Sequence, residues 1–375
     1  MKYYLVAGEA SGDLHASNLM KGIAANDPEA QFQYFGGDLM AAVSGKPTKH
    51  YREMAFMGFY EVVMNLGKIS KNLSLCKNDI LNFKPDVVIL VDYPGFNLRI
   101  AQFAKQNGFK VFYYIAPKVW AWKESRVKKL KLYVDKLFTI FPFETKYFAS
   151  HGIEVVFEGN PTLDAIHQKI ESSTSLNEFT TQNGLASKPI ITLMAGSRKQ
   201  EIKYNLPIML SLVNKFPSYQ FVIAGAPSLT DKIYEPYIAN TNVKVIYGKT
   251  YPLLKHSTLA IVTSGTATLE AALLDIPEVV CYKGHFISML IAWMVVKVKY
   301  VSLVNLIMDR EVVRELLQYD LNPKTLLEEV RELMPGEHKR SEMLSNFNHL
   351  RALLGSNGSS ERVAKRMISE LTSTH

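Results

Sequence analysis

Short runs of β-branched and aromatic residues alternate with amphipathic stretches along nearly the whole chain, and that rhythm leaves few folds open. The runs Tyr3 to Ala7, Phe32 to Phe35, Asp86 to Val91, Lys110 to Ile115, Lys136 to Ile140 and Val155 to Phe157 read as strands ended by turn residues. Helical patterns stand between them, from about Leu14 and, at greater length, from Glu61 to Phe83. Runs without polar alternation suit a parallel sheet buried on both faces. A Ser/Thr-rich polar stretch, Glu171 to Lys188, interrupts the rhythm before it resumes at Ile190 to Met194, Phe221 to Ala224, Val243 to Tyr247, Leu259 to Val262 and Val279 to Tyr282. The expectation is two doubly wound α/β domains, residues 1–170 and 189–355, joined by a linker over 171–188 and facing a cleft. From Glu311 onward the pattern is helical. After a break at Gly355 to Ser360, a final helix, Glu361 to about Leu371, is expected to pack against the first domain.

The length of 375 residues fits two domains of ~150 residues each. With 47% apolar and 21% charged residues, the composition is that of a folded globular chain, neither disordered nor a membrane-spanning bundle. The formal charge of +8 calls for an anionic partner: nucleic acid, an anionic membrane or a phosphorylated substrate. Cys76 and Cys281 are the only cysteines, with no metal-ligand spacing, so a reducing compartment is expected and a zinc site is not. Met1 to Gly8 reads as a strand and turn rather than a signal peptide, which points to the cytoplasm. The longest apolar run, Phe286 to Val296, is short of the ~20 residues a spanning helix needs.

Ligands of doubly wound sheets bind at the carboxyl ends of the strands, and four loops there carry candidate chemistry. Gly8-Glu9-Ala10-Ser11-Gly12-Asp13 follows the first strand. It is not GxGxxG, and its two acids would repel a pyrophosphate, which disfavours a nicotinamide dehydrogenase. It reads either as a site or as a tight turn with Asp13 capping the helix. Asp92 ends a buried strand before Tyr93-Pro94-Gly95-Phe96-Asn97, either as a general base with a raised pKa or as a turn former. Ala195-Gly196-Ser197-Arg198 sets a guanidinium and exposed backbone N–H groups ahead of the helix containing Glu201, suited to a diphosphate; the alternative is a surface arginine. Ser264-Gly265-Thr266-Ala267-Thr268-Leu269-Glu270 opens a helix directly after a strand, where orphan N–H groups bind phosphate. There Glu270 reads as an acceptor for ribose hydroxyls or as a favourable first-turn charge.

Two stretches look suited to a membrane. Ala116 to Lys123 holds Trp120 and Trp122 and leads into Arg126, Lys128, Lys129 and Lys131. Phe286 to Val296 contains Trp293 and is flanked by Lys283, Lys297 and Lys299. Nucleic-acid binding for the first and a core helix for the second are the competing readings. His15 and His285 read as ordinary polar residues.

Taken in order, these pieces resemble the lipid-A-disaccharide synthase family: AGEASGD at Ala7 to Asp13, MGFYEV at Met57 to Val62, DYPGFN at Asp92 to Asn97 and APKVWAWKESRVKKLK at Ala116 to Lys131. PFE at Pro142 to Glu144, EGNP at Glu158 to Pro161, GSRKQEI at Gly196 to Ile202, SGTATLEAAL at Ser264 to Leu273, and SLVN and ELLQ near Asn305 and Gln318 complete it. The match runs from residue 1 to about 320. The chain departs from the pattern at Val304, where the family often has proline, and at Gly95, where it has a second acid.

The resemblance implies a GT-B fold and an inverting, metal-independent glycosyltransferase without a cofactor. Its donor would be UDP-2,3-diacylglucosamine and its acceptor 2,3-diacylglucosamine 1-phosphate. It implies Asp92 as base, Glu9 and Asp13 positioning sugar hydroxyls, and Arg198 with the helix start at Ser264 to Thr268 stabilising the leaving diphosphate. Ser11, Met57, Asn97, Gly196, Ser197, Ser264, Gly265, Thr266, Ala267, Thr268, Glu270, Asn305 and Gln318 are the expected substrate contacts. Acylated substrates make the inner-membrane surface, not nucleic acid, the partner of Trp120, Trp122, Lys128, Lys129, Phe286 and Trp293, and the resemblance leaves a homodimer open. A sugar-nucleotide 2-epimerase has the same paired domains but no acylated substrate to explain those stretches. A non-enzymatic RNA- or membrane-binding protein is the third reading.

Overall fold

A computed structural model describes residues 1–54, 65–122, 124–171, 175–284 and 298–373. It divides into two compact units, Met1–Ala165 with Leu354–His375, and Ile166–Leu353.

The first unit holds a seven-stranded sheet: β1 (Lys2–Ala7), β2 (Gln31–Gly36), β3 (Lys49–His50), β4 (Val87–Val91), β5 (Lys110–Tyr114), β6 (Lys136–Thr139) and β7 (Val155–Phe157). The order is β3-β2-β1-β4-β5-β6-β7, with every pairing parallel. The chain winds outward from β1 to β3, then returns to the other side of β1 at β4. The loops after β1 and β4 therefore leave in opposite directions and open a crevice between them. Val87 to Val91 are all buried. Tyr4, Val6, Val88, Leu90, Val111 and Tyr113 pack against Cys76, Ile80, Phe96, Ile100 and Ala104 of the helices Leu66–Phe83 and Pro94–Gln106. The alternate strand residues are just as buried, which is why these runs lack polar alternation, and each large apolar side chain so buried contributes ~1.5–3 kcal/mol.

The last helix, Ser359–Thr372, buries Val363, Ala364 and Met367 within this first unit. It packs on the helix Ala10–Asn26, where Gly22 makes the approach close: a Cβ there would stand 3.0 Å from that of Ala364 and 3.1 Å from the Cα of Glu361. The Asp164 carboxylate accepts the N–H groups of Gly358, Ser359 and Ser360 at 2.6, 3.3 and 2.8 Å and so anchors the helix start.

The second unit repeats the winding with six parallel strands, β8 (Ile190–Met194), β9 (Gln220–Gly225), β10 (Lys244–Tyr247), β11 (Ser257–Thr263), β12 (Glu278–Tyr282) and β13 (Glu315–Leu317). Their order is β10-β9-β8-β11-β12-β13, which puts its crevice between the ends of β8 and β11.

Three differences from the sequence expectation have local causes. The first helix starts at Ala10, not near Leu14, so the small residues Ala10, Ser11 and Gly12 that read as loop form its first turn. Within the expected linker, Leu176–Gln182 forms a helix with a Ser175/Glu178 capping box and buries Phe179 among Ile190, Val222 and Ile246. Glu315–Leu317 reads as helix but pairs with β12, a three-residue strand too short to show a period. Among the described residues no helix is long and apolar enough to cross a membrane. The run Phe286 to Val296 and the start of the helix expected from Glu61 lie outside the described residues.

Candidate functional site

At the edge of the first sheet, Asp92 and Tyr93 follow β4 with φ of 44° and 49°, two successive left-handed residues that are not glycine. Such backbone costs roughly 1–2 kcal/mol per residue and persists only where neighbours enforce it. Asn97 and Tyr113 do so. The Asn97 amide, fully buried, donates toward the carbonyls of Val6, Val91 and Asp92 at 3.3, 3.2 and 2.8 Å, and the Tyr113 hydroxyl donates to Asp92 O at 2.6 Å. Burial raises the Asp92 carboxyl above its ordinary value, against the Lys118 charge and the Tyr93 N–H, which favour ionisation. Among the described residues this carboxylate has no ion-pair partner.

The glycines and acids of the first loop divide their work. A Cβ on Gly8 would meet the Tyr93 ring at 2.2 Å, so this glycine serves close packing at the crevice, whereas one on Gly12 would find an ordinary contact with Ala7 at 3.4 Å. Asp13 is buried, and its carboxylate accepts from the N–H groups of Gly37, Leu39 and Met40 at 2.8, 3.1 and 3.2 Å. It caps the helix Asp38–Ser44 and not its own helix. Glu9 stands at the N-cap position of Ala10–Asn26, half-buried beside Tyr93, and Ser11 is exposed. The Asn97 NH2 group is likewise committed to backbone carbonyls.

Trp120, half-exposed, has partners within its own unit. Its indole N–H donates to Glu144 Oε1 at 3.0 Å and its ring meets Phe143 edge-on at 4.9 Å. Glu144 is fully buried; burial lifts its carboxyl to about 7, although Trp120 and the N–H groups of Phe141 and Ile140 favour the ionised form. Lys128 and Lys129 are exposed, as is Leu132 at 64%. The Trp122 side chain, Met57, Phe286 and Trp293 lie outside what is described.

In the second unit a cavity of about 510 Å³ lies at the β8/β11 crevice, a volume that suits a nucleotide-sized ligand. Gly196, Ser197 and Arg198 line it from β8, and Ser264, Gly265, Thr266, Ala267 and Glu270 from β11. Gly196 has φ 115°, and a Cβ there would strike Glu201 at 2.5 Å. Glu201 corrects the reading of this loop: its carboxylate accepts the N–H groups of Ser197 and Arg198 at 2.8 and 3.2 Å and pairs with the Arg198 guanidinium at 3.0 Å. The expected backbone donors are thus taken, while the Arg198 side chain stays 69% exposed.

The other wall differs. Gly265, φ 153°, precedes the helix Thr266–Leu273, which no side chain caps, so its first N–H groups face the cavity region unclaimed by side chains. Ser264 Oγ donates to Val301 O and Thr268 Oγ to Gly265 O, at 2.8 and 2.9 Å, so both hydroxyls shape the turn. Glu270 Oε1 accepts from the Tyr251 hydroxyl at 3.1 Å, and the Lys169 ammonium lies 5.1 Å from the Tyr251 ring centre. Burial raises the Glu270 carboxyl; Tyr251 and Lys169 oppose it.

Glu201, Tyr251 and Lys169 were missing from the sequence reading as lining residues. Glu201 stands at capping-box spacing from Arg198, a usable signal, whereas Tyr251 and Lys169 arrive from distant segments. Asn305 and Gln318 do not line this cavity. Asn305 is buried, bonding Val312, Val313 and Glu315, and Gln318 (φ 51°) bonds Tyr282 O through its N–H.

A family model described as lipid-A-disaccharide synthetase matches residues 3–367. The lipid-A-disaccharide synthase of Syntrophus aciditrophicus is 35% identical over 367 residues, covering 96% of this chain and 95% of its own. That of Coxiella burnetii is 33% identical, covering 96% of each. Among solved structures, the UDP-GlcNAc 2-epimerase of Neisseria meningitidis bound to UDP-GlcNAc aligns with a TM-score of 0.70 at 15% identity, over 98% of this chain and 100% of that one. The calicheamicin glycosyltransferase CalG4 aligns at 0.61 and 13% identity, over 99% and 98%. At such identities the likeness is one of fold, two Rossmann-like parallel-sheet units of the GT-B type.

Proposed function

Since the chain belongs to the lipid-A-disaccharide synthase family, we propose that it transfers a diacylated glucosaminyl group from UDP-2,3-diacylglucosamine to 2,3-diacylglucosamine 1-phosphate. The products are the β-1,6-linked disaccharide 1-phosphate and UDP. In this reading the Asp92 carboxylate takes the proton of the acceptor 6-hydroxyl. The freed oxygen attacks the anomeric carbon from the face opposite the nucleotide, the bond to the diphosphate oxygen breaks, and UDP departs with the electron pair. Arg198 and the uncapped N–H groups at Gly265 and Thr266 receive the diphosphate, and Glu270 receives ribose hydroxyls. Glu9 is left to position a sugar hydroxyl.

The observation that carries the reading is the carboxylate of Asp92, held by an enforced left-handed turn at the sheet edge while Asp13, its neighbour in sequence logic, is committed to capping. Burial keeps Asp92 a better proton acceptor than a surface carboxylate. Asp92→Asn should abolish UDP release from the acylated donor and acceptor while UDP binding stays within about twofold. Retained turnover would move the base role to Glu9. Release from UDP-N-acetylglucosamine alone, without the acylated pair, would overturn the transfer reaction itself.

Acyl chains on both substrates require access to a bilayer, and we place the protein peripherally on the inner leaflet through exposed Lys128, Lys129 and Leu132. Replacing the two lysines by glutamate and Leu132 by serine should weaken binding to anionic liposomes at least tenfold and leave UDP binding unchanged; equal liposome binding would refute this placement.

A further inference from the structure

We infer that Tyr251 is a positioning residue that sets the ribose specificity of the second unit's cavity by fixing Glu270, an inference that rests on reading this cavity as the nucleotide site. Tyr251 is 8% exposed and lines the cavity from the short helix Thr250–Lys255, which follows β10. Glu270 lines it from the helix after β11. The sheet order β10-β9-β8-β11 separates those strands by two others, so the 3.1 Å bond between the Tyr251 hydroxyl and Glu270 Oε1 spans the crevice edge where a ligand would lie.

The bond has two consequences for a ligand. With Oε1 engaged, Oε2 is the oxygen without a hydrogen-bond partner among the described residues, and the carboxylate can no longer turn freely. A hydroxyl donor in a bound ribose then meets one acceptor in one orientation, which makes a missing hydroxyl costly, since a desolvated acceptor is left unpaired. The tyrosine hydroxyl also favours the charged carboxylate over the neutral acid, and burial keeps Tyr251 itself protonated and a donor. The Lys169 ammonium, 5.1 Å from the ring centre, holds the ring from its face and adds positive charge beside Glu270.

Calorimetric binding of UDP, 2′-deoxy-UDP and 3′-deoxy-UDP to the full chain and to its Tyr251→Phe and Glu270→Gln variants tests this. The native protein should prefer UDP to the weaker-bound of the two deoxy forms by about tenfold or more, as expected for a hydrogen bond to a charged group. Tyr251→Phe keeps the ring and its packing. It should weaken UDP about fivefold, leave that deoxy form within twofold, and so shrink the discrimination; in turnover it should raise donor KM with kcat nearly unchanged. Tyr251→Phe that weakens all three nucleotides equally, or none, overturns the inference, because a merely structural tyrosine does not change a ratio. Glu270→Gln serves as the control: if it leaves the native ratio intact, the ribose reading of Glu270 itself has failed, separately from the role of Tyr251.

Discussion

Asn97→Ala removes the clamp that holds Asp92. The amide carries two protons, shared among carbonyls of Val6, Val91 and Asp92 at 3.3, 3.2 and 2.8 Å, so it makes about two hydrogen bonds. Losing them in a fully buried position costs ~1 kcal/mol or more each, for a destabilisation of about 2–3 kcal/mol. The turn suffers more than the sheet. The left-handed backbone of Asp92 and Tyr93 stores roughly 2–4 kcal/mol over its two residues, and on the Asp92 carbonyl the Tyr113 hydroxyl at 2.6 Å would be the side-chain restraint that remains against its relaxation. The carboxylate should shift, and a displacement near 1 Å costs about a hundredfold in kcat. Asn97→Asp, which turns a carboxylate on the same carbonyl oxygens, should be worse on both counts. Urea unfolding followed by tryptophan emission in a Trp293→Phe background reports this unit, since Trp120 and Trp122 belong to it and Trp293 to the other. UDP affinity, a property of the second unit in the proposed reading, should not move. An Asn97→Ala protein within about 0.5 kcal/mol of native stability and with undiminished kcat would refute the clamp.

Asp13→Ala should cost about 2–3 kcal/mol, because three N–H groups of the helix Asp38–Ser44 lose a charged acceptor; thermal unfolding should show the loss while UDP affinity stays native. Gly8→Ala should lower kcat at little change in UDP affinity, because the new methyl would displace the Tyr93 ring next to Asp92; steady-state kinetics with calorimetry separates the two. Burial lifts the Glu144 carboxyl from 4.5 to about 7, so between those values the native state holds a proton that the unfolded chain has lost. Its stabilisation is then full below about pH 4.5 and fades as pH rises to about 7, by up to ~3 kcal/mol. Stability measured across that window should fall less steeply in Glu144→Gln, and Trp120 emission should titrate near neutrality in the native protein alone.

Nearly every strand was legible because these runs are buried on both faces and interrupted by turn residues. Expected and observed limits differ by about two residues at most, as with Phe221 to Ala224 inside Gln220–Gly225. The exceptions, Lys49–His50 and Glu315–Leu317, are edge strands of two and three residues whose only evidence is a neighbouring strand. The helix Leu176–Gln182 was hidden by its Ser/Thr content, although Ser175 and Glu178 stand at capping-box spacing.

The loops were located more easily than their side chains could be assigned, and the reason is physical. Asp13 and Asp92 are the same residue type, each just beyond a buried strand at one sheet edge, yet one accepts three backbone N–H groups and the other has no ion-pair partner among the described residues. Glu201 and Glu270 divide similarly: the first neutralises its own loop's donors, while the second keeps one oxygen toward the cavity because Tyr251 holds the other. Local sequence decides that a polar residue stands at a crevice. Whether it is available for chemistry depends on partners that folding brings from elsewhere, Gly37 for Asp13 and Tyr251 for Glu270, each separated from it in the chain by nineteen residues or more. In the proposed transfer, a working carboxylate is thus recognised less by its own motif than by the failure of distant backbone donors to reach it, which is the ground on which Asp92 rather than Asp13 takes the base role.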